Sequence, residues 1–330
     1  MSFRMMITTC LVTLLMLCLA ACAQEKHENQ PNPSEGMIIS ENEAERERSE
    51  SGSAHTSSET TDSETTKKVY SSWEEVPAND YREEIITVDY SGQKIWGVAY
   101  IPQLEQKKYP LVICSHGLGG SYTSCMEYAE LLATHGMATY CFDFRGGGGS
   151  HSDGSTTLMS LITEAADIQT IICAAREWSF VDQEKIILLG ESQGGAASAI
   201  AAARSVDDVN GLILCYPALL VHDAVHAQFD SLDEVPDTFY FNWIYAGRTY
   251  VADVWDYDVY AEIGNYTKPV LLMHGDRDSV VPISYAEKAA EVYPDVQYHV
   301  IQGGGHGFYG KALEDANRLI FEYLKKIALF

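Results

Sequence analysis

The sequence predicts an α/β fold: a mostly parallel central sheet, helices on both faces, and a lid inserted late in the chain. Three observations lead there. Short apolar runs at 111–115, 185–190 and 270–274 alternate with longer stretches of helical period, as strands do when helices carry the chain back between them. One such run, Ile186-Ile187-Leu188-Leu189, ends in Gly190-Glu191-Ser192-Gln193-Gly194 and passes at once into an Ala-rich segment reaching Arg204, which reads as strand, tight turn and helix. From about 217 to 266 the alternation fails over a stretch too long for an ordinary connection.

Taken in order, 84–88 and 94–101 read as two strands joined at Ser91-Gly92, a hairpin-like opening. Residues 111–115 form the next strand. Residues 124–135 form a helix closed by Gly136. A strand at 137–144 precedes a helical period over 158–178, and the strand at 185–190 leads to the Ser192 turn. Residues 209–216 and 270–274 are strands, 284–292 a helix, 296–301 the last strand and 312–327 the closing helix. A parallel sheet covered on both faces binds ligands beyond the carboxyl ends of its strands.

The insertion carries Phe229, Phe239, Tyr240, Phe241, Trp243, Tyr245, Tyr250, Trp255, Tyr257 and Tyr260. These aromatics either wall an acyl or alcohol pocket or simply pack the insertion onto the domain.

Glycines at 190 and 194 let the turn close without side-chain clashes and hold Ser192 at its tip, clear of the sheet. A serine hydroxyl is a poor nucleophile at neutral pH and needs a base, which needs an orienting group. The strand at 270–274 runs into Asp276-Arg277-Asp278, and Asp278 is the expected orienter; Asp276 is the rival, its alternative role a loop cap bonding backbone N–H groups. Gly303-Gly304-Gly305-His306-Gly307 offers His306, the expected general base, on a loop that glycine makes pliable. The loop His116-Gly117-Leu118-Gly119-Gly120 can aim a backbone N–H at a developing oxyanion, and Gln193, opening a helix, supplies a second with the helix dipole behind it.

With H-G-L-G-G at 116–120, C-F-D-F-R-G-G-G-G-S at 141–150, G-E-S-Q-G-G at 190–195, T-K-P-V-L-L-M-H-G-D-R-D-S-V-V-P at 267–282 and G-G-G-H-G-F at 303–308, the chain resembles the α/β-hydrolase superfamily. More narrowly it resembles bacterial cinnamoyl or feruloyl esterase-like enzymes. The resemblance implies the α/β-hydrolase fold, Ser192, Asp278 and His306 as the triad in that chain order, and Leu118 and Gln193 as the oxyanion donors. It implies a carboxylic ester hydrolase working through an acyl-enzyme, on aromatic or short-chain esters, with no metal or organic cofactor. The four-glycine run 146–149 departs from the usual G-x-G of that loop. A peptidase or lysophospholipase on the same triad, and a non-catalytic ligand-binding surface lipoprotein, are the competing expectations.

A length of 330 residues, 46% of them hydrophobic, suffices for one large α/β domain with additions. A net charge of −25 argues against nucleic acid as a partner. Part of that charge lies in the amino-terminal region. There, Arg4 precedes an apolar run over 5–21 that ends Leu19-Ala20-Ala21-Cys22, which looks like a bacterial lipobox; cleavage before Cys22 and its lipidation are expected, an uncut membrane anchor being the alternative. Residues 22–69, rich in Ser, Thr, Glu and Asn, read as a polar tether, spanning on the order of 35–40 Å. Residues 70–330 are the hydrolase domain. The expected place is thus the extracytoplasmic face of a bacterial membrane, with a small ester as the soluble partner.

Of the remaining cysteines, Cys114, Cys125, Cys141, Cys173 and Cys215 form no disulfide-like or zinc-like spacing. His222 and His226, four apart, could share a helix face as metal ligands, but no third ligand accompanies them. His116 and His274 are expected to support loops, Arg145 to pin one, and Glu191 to face solvent or be paired.

Overall fold

The computed structural model describes residues 70–106, 108–149, 151–327 and 329. The expected leader, Cys22 and the expected tether lie outside the described residues.

The sheet begins with β1 (Tyr81–Tyr90) and β2 (Gln93–Pro102), an antiparallel pair. Ser91 and Gly92 join them with positive φ at both positions, 50° and 85°, the backbone a two-residue turn needs to match strand twist. β3 (Tyr109–Ser115), β4 (Ala138–Phe142), β5 (Val181–Glu191) and β6 (Gly211–Cys215) follow. β7 (Thr238–Phe241) and β8 (Ile244–Gly247) form a separate hairpin, and β9 (Val270–Gly275) and β10 (Val296–Ile301) complete the main sheet. Its order is β1-β2-β4-β3-β5-β6-β9-β10, parallel from β4 onward. This is the expected α/β-hydrolase architecture.

Side-chain alternation sorts each central strand onto two cores. On β3 and β5, Leu111, Ile113, Ile186 and Leu188 face one cluster, while Val112, Cys114, Ile187 and Leu189 face the other. The second cluster is covered by α1 (Met126–Thr134) and, at the end of the chain, by a long helix at 311–326. The first is covered by α2 (Leu161–Ala175) and α3 (Ser192–Arg204), and by a helix at 284–292.

The insertion folds as α4 (Val221–Gln228), the β7–β8 hairpin, α5 (Arg248–Ala252) and α6 (Val259–Ile263); the two remaining helices are α7 (Ser284–Val292) and α8 (Lys311–Lys326). The hairpin alternates as a half-buried strand pair must: Phe239 and Phe241 point into the core, while Tyr240 and Tyr245 stand exposed and pair edge to face.

Several element boundaries differ from the sequence expectation, β1 extending over 81–90 rather than 84–88 among them. The 158–178 helix begins only at Leu161, because Ser160 caps it by accepting the Thr163 N–H. The 124–135 helix is a 3-10 turn, Tyr122–Cys125, before α1 starts at Met126. β5 begins at Val181, four residues before the apolar run, since Asp182, Gln183 and Glu184 extend the strand toward solvent and carry no hydrophobic signal.

Candidate active site

β5 ends at Glu191 and α3 starts at Ser192 with no residue between them. So sharp a reversal puts Ser192 at φ 51°, a left-handed conformation costly for a residue with a Cβ. The neighbours make room for it. A Cβ on Gly190 would sit 2.5 Å from the Gly194 carbonyl oxygen, and one on Gly194 would sit 2.3 Å from that of His116. The turn therefore packs backbone to backbone against the end of β3, and only glycine fits at those positions.

Three strand ends converge here. His306, on the loop after β10, places Nε2 2.9 Å from Ser192 Oγ. Its Nδ1 lies 2.9 Å from Asp278 Oδ2, on the loop after β9. Asp278 is held from the other side by the Val280 and Val281 N–H groups, which donate to Oδ1 at 2.8 and 2.9 Å. Burial alone would raise its carboxyl, but hydrogen bonds from His274 and His306 outweigh that and hold it well below the usual carboxylate range. Asp278 is thus an anion that accepts the Nδ1–H of His306. With Nδ1 held by Asp278, the imidazole turns Nε2 toward the serine hydroxyl.

The loop 116–120 reaches the same point: a Cβ at Gly117 would lie 3.0 Å from Ser192 Cβ. The N–H of Phe144 donates to His116 Nε2 at 3.3 Å, so Nδ1 carries the ring proton and donates it to the Gly117 carbonyl at 2.8 Å. Burial lowers the pKa of His116, which keeps it neutral in this bracing role. Gln193 lies in the first turn of α3, where N–H groups have no intrahelical acceptor. The loop that carries Leu118 and the first turn of α3 that carries Gln193 thus meet at the serine.

Comparison with known proteins agrees with the fold. A family model described as serine aminopeptidase, S33, matches residues 106–255, and one described as alpha/beta hydrolase fold matches residues 241–312. Among solved structures, Est1E from Butyrivibrio proteoclasticus, with ferulic acid bound, superposes with a TM-score of 0.65 at 26% identity, over 73% of this chain and 99% of that one. The chain has the α/β-hydrolase fold. An uncharacterized protein of Mycobacterium tuberculosis is 28% identical over 245 residues, 71% of this chain and 77% of that protein. The uncharacterized protein YfhR of Escherichia coli (strain K12) is 26% identical over 180 residues, 54% of this chain and 55% of its own length.

Around the serine, the other polar residues act as supports. Asp276 accepts the Gly303 N–H at 2.6 Å and so caps the histidine loop; it does not reach His306. His274 gives its Nε2–H to the Val281 carbonyl at 2.9 Å and lies 3.3 Å from Asp278. Arg145 pins its loop through Nε to Asp167 at 2.6 Å, with its guanidinium over the Tyr90 ring. His226 bonds the Trp255 carbonyl and His222 pairs with Asp223. Among the described residues no group of three His, Cys, Asp or Glu side chains is gathered to hold a metal ion.

Glu191 is buried and paired, not solvent-facing. It accepts the Tyr216 hydroxyl and lies 3.4 Å from Cys125 Sγ; burial pushes its carboxyl up although both bonds pull it down. Tyr216 in turn sets its ring edge to face on His306, centroids 5.1 Å apart. Within the insertion, Trp243 sits at the hairpin turn and donates its indole N–H to the Leu118 carbonyl at 2.8 Å. Tyr250 donates its hydroxyl to the Gln193 side chain, which also bonds Glu164. Sequence reading missed Glu164. Its signal was an acid set among Leu161, Ala165 and Ile168 on the apolar face of α2.

Proposed function

We propose that this α/β-hydrolase cleaves carboxylic esters through an acyl-enzyme. The observation that carries the reading is the continuous chain Ser192 Oγ, His306 and Asp278, with both links at 2.9 Å. His306 takes the hydroxyl proton as Ser192 attacks the ester carbonyl. The Leu118 and Gln193 N–H groups hold the resulting oxyanion, a donor of this kind contributing about 2.7–4 kcal/mol in the transition state. His306 then protonates the departing alcohol, and water activated by the same imidazole frees the acid. Asp278 stays ionised throughout and stabilises the imidazolium. No step requires a cofactor.

The substrate reading is an ester with an aromatic acyl group, of cinnamoyl or feruloyl type, or a short chain. It is supported by Trp243 against the Leu118 carbonyl and by the likeness to Est1E, whose structure holds ferulic acid. The match of residues 106–255 to the aminopeptidase model favours a second reading, hydrolysis of aminoacyl amides. Ser192→Ala is expected to abolish turnover of p-nitrophenyl acetate while leaving the circular dichroism spectrum unchanged; retained turnover overturns the assignment. A panel of feruloyl, acetyl and lysophospholipid esters with aminoacyl amides separates the readings. We further propose that lipid on Cys22 holds the enzyme at a bacterial membrane from the extracytoplasmic side, with residues 22–69 as the tether. Cys22→Ala should abolish palmitate incorporation and release the protein from the membrane fraction.

A further inference from the structure

Gln193 faces two ways. Its backbone N–H is one of the two oxyanion donors proposed above. Its side chain runs into the core, where Nε2 donates to Glu164 Oε2 at 2.9 Å and Oε1 accepts the Tyr250 hydroxyl. Glu164, Gln193 and Tyr250 are 1%, 2% and 1% exposed. A carboxyl group in such surroundings is costly to bury, and an apolar side chain would fill the same space more cheaply. The carboxamide is instead gripped at both ends, each by a group that matches its polarity.

The two grips come from different parts of the fold. Glu164 stands in the first turn of α2, and Tyr250 on α5 of the insertion. A second polar tie lies nearby: Ser160, the cap of α2, donates its hydroxyl to Asp253, just beyond α5. The start of α2 and the α5 segment are thus joined directly and also through the residue that follows the nucleophile. Any drift of α5 pulls on Gln193.

We propose that Glu164 and Tyr250 are positioning residues for the oxyanion hole, clamping the Gln193 carboxamide so that its backbone N–H keeps its aim and tying the insertion to the nucleophile turn. This rests on the hydrolase reading of Ser192. Burial pushes the Glu164 carboxyl up to about 8, against the pull of the Gln193 bond, with Asp167 adding to the rise. Near neutral pH the neutral acid therefore predominates, and glutamine is its natural mimic.

The full-length protein tests this with Tyr250→Phe, which removes one hydroxyl and keeps the ring, and Glu164→Leu. Both should lower kcat for p-nitrophenyl acetate about ten-fold or more with KM within about two-fold, the mark of a donor that has lost its aim. A trifluoromethyl ketone inhibitor, which places an oxyanion in the hole, should weaken by the same factor as kcat/KM. The rate of Ser192 labelling by a fluorophosphonate should fall likewise, a readout that holds whichever acyl substrate is the natural one. Glu164→Gln, which keeps an oxygen acceptor for Nε2, should recover most of what Glu164→Leu loses. Wild-type kcat and labelling rate in Tyr250→Phe overturn the inference and leave the ester reading standing. Rapid fluorophosphonate labelling of a wild type that turns over no ester overturns the ester reading, and the labelling rates still decide the clamp.

Discussion

Replacing Gly194 by alanine sets two effects against each other. Alanine is the better helix former, and within α3 the exchange should gain about 0.5–1 kcal/mol. Against this, the new Cβ would lie 2.3 Å from the His116 oxygen and 2.4 Å from the Ser115 oxygen, where ordinary contact begins at 3.4 Å. The shortfall is about 1 Å, and both opposing atoms are backbone at the end of β3, which is paired on one side with β4 and on the other with β5. The strand cannot yield, so either the first turn of α3 or the 116–120 loop must move. Overpacking of this kind costs about 1–3 kcal/mol, which exceeds the helix gain. Net destabilisation of about 1–2 kcal/mol would lower the melting temperature by roughly 2–8 °C in a domain of this size. The catalytic effect should be larger. A displacement of about 1 Å between the serine and the proposed oxyanion donors costs on the order of a hundred-fold in kcat. Thermal unfolding by circular dichroism and steady-state hydrolysis of p-nitrophenyl acetate measure the two effects separately. A variant with wild-type kcat and a raised melting temperature would show that the turn does not press on β3, and the account of the nucleophile turn would fail with it.

Asp278→Asn should lower kcat by about 10⁴ by losing the acceptor that fixes the histidine tautomer. Because the folded carboxyl is held below its ordinary value, its contribution to stability is complete above the unfolded pKa near 3.8 and vanishes as pH falls further. The melting gap between wild type and Asp278→Asn should therefore be widest above about pH 5 and narrow in acid, as a pH series of melts would read. Glu164 behaves oppositely. Raised from 4.5 to about 8, it keeps a proton that the unfolded chain releases, so stability falls as pH rises through that window. Glu164→Gln should match wild type near pH 4 and exceed it by about 3–5 kcal/mol at pH 9 in urea titrations. Asp167, raised to about 6 against the charge of Arg145, adds to the wild-type decline. Trp243→Ala should raise KM for a feruloyl ester more than for an acetyl ester; equal shifts would remove the indole from the acyl pocket.

What the sequence made legible was what is written at strand ends. Gly190-Glu191-Ser192-Gln193-Gly194 announces its turn because close backbone approach demands glycine at fixed offsets. Asp278 and His306 follow apolar runs whose strands lie side by side, so their loops had to meet beyond one edge. Asp276 could be set apart only as an alternative, since two carboxylates two residues apart look alike until the backbone shows that Asp276 turns to Gly303. The supports were illegible because they are contacts between segments far apart in the chain. Tyr250 was one aromatic among many in the insertion, and its hydroxyl gains meaning only when the fold brings α5 to Gln193. Glu191 read as an ordinary acid beside a serine, because its partners Tyr216 and Cys125 come from two other loops.

The insertion grips the proposed catalytic framework through the indole of Trp243 on the Leu118 carbonyl and the hydroxyl of Tyr250 on Gln193. It is therefore not an exchangeable cassette. A chimera that borrows this segment from a relative to change selectivity inherits a donor requirement at both anchor points. Grafts that keep an indole and a phenol there should retain turnover, whereas grafts chosen for pocket shape alone should lose it before any change in preference can be measured.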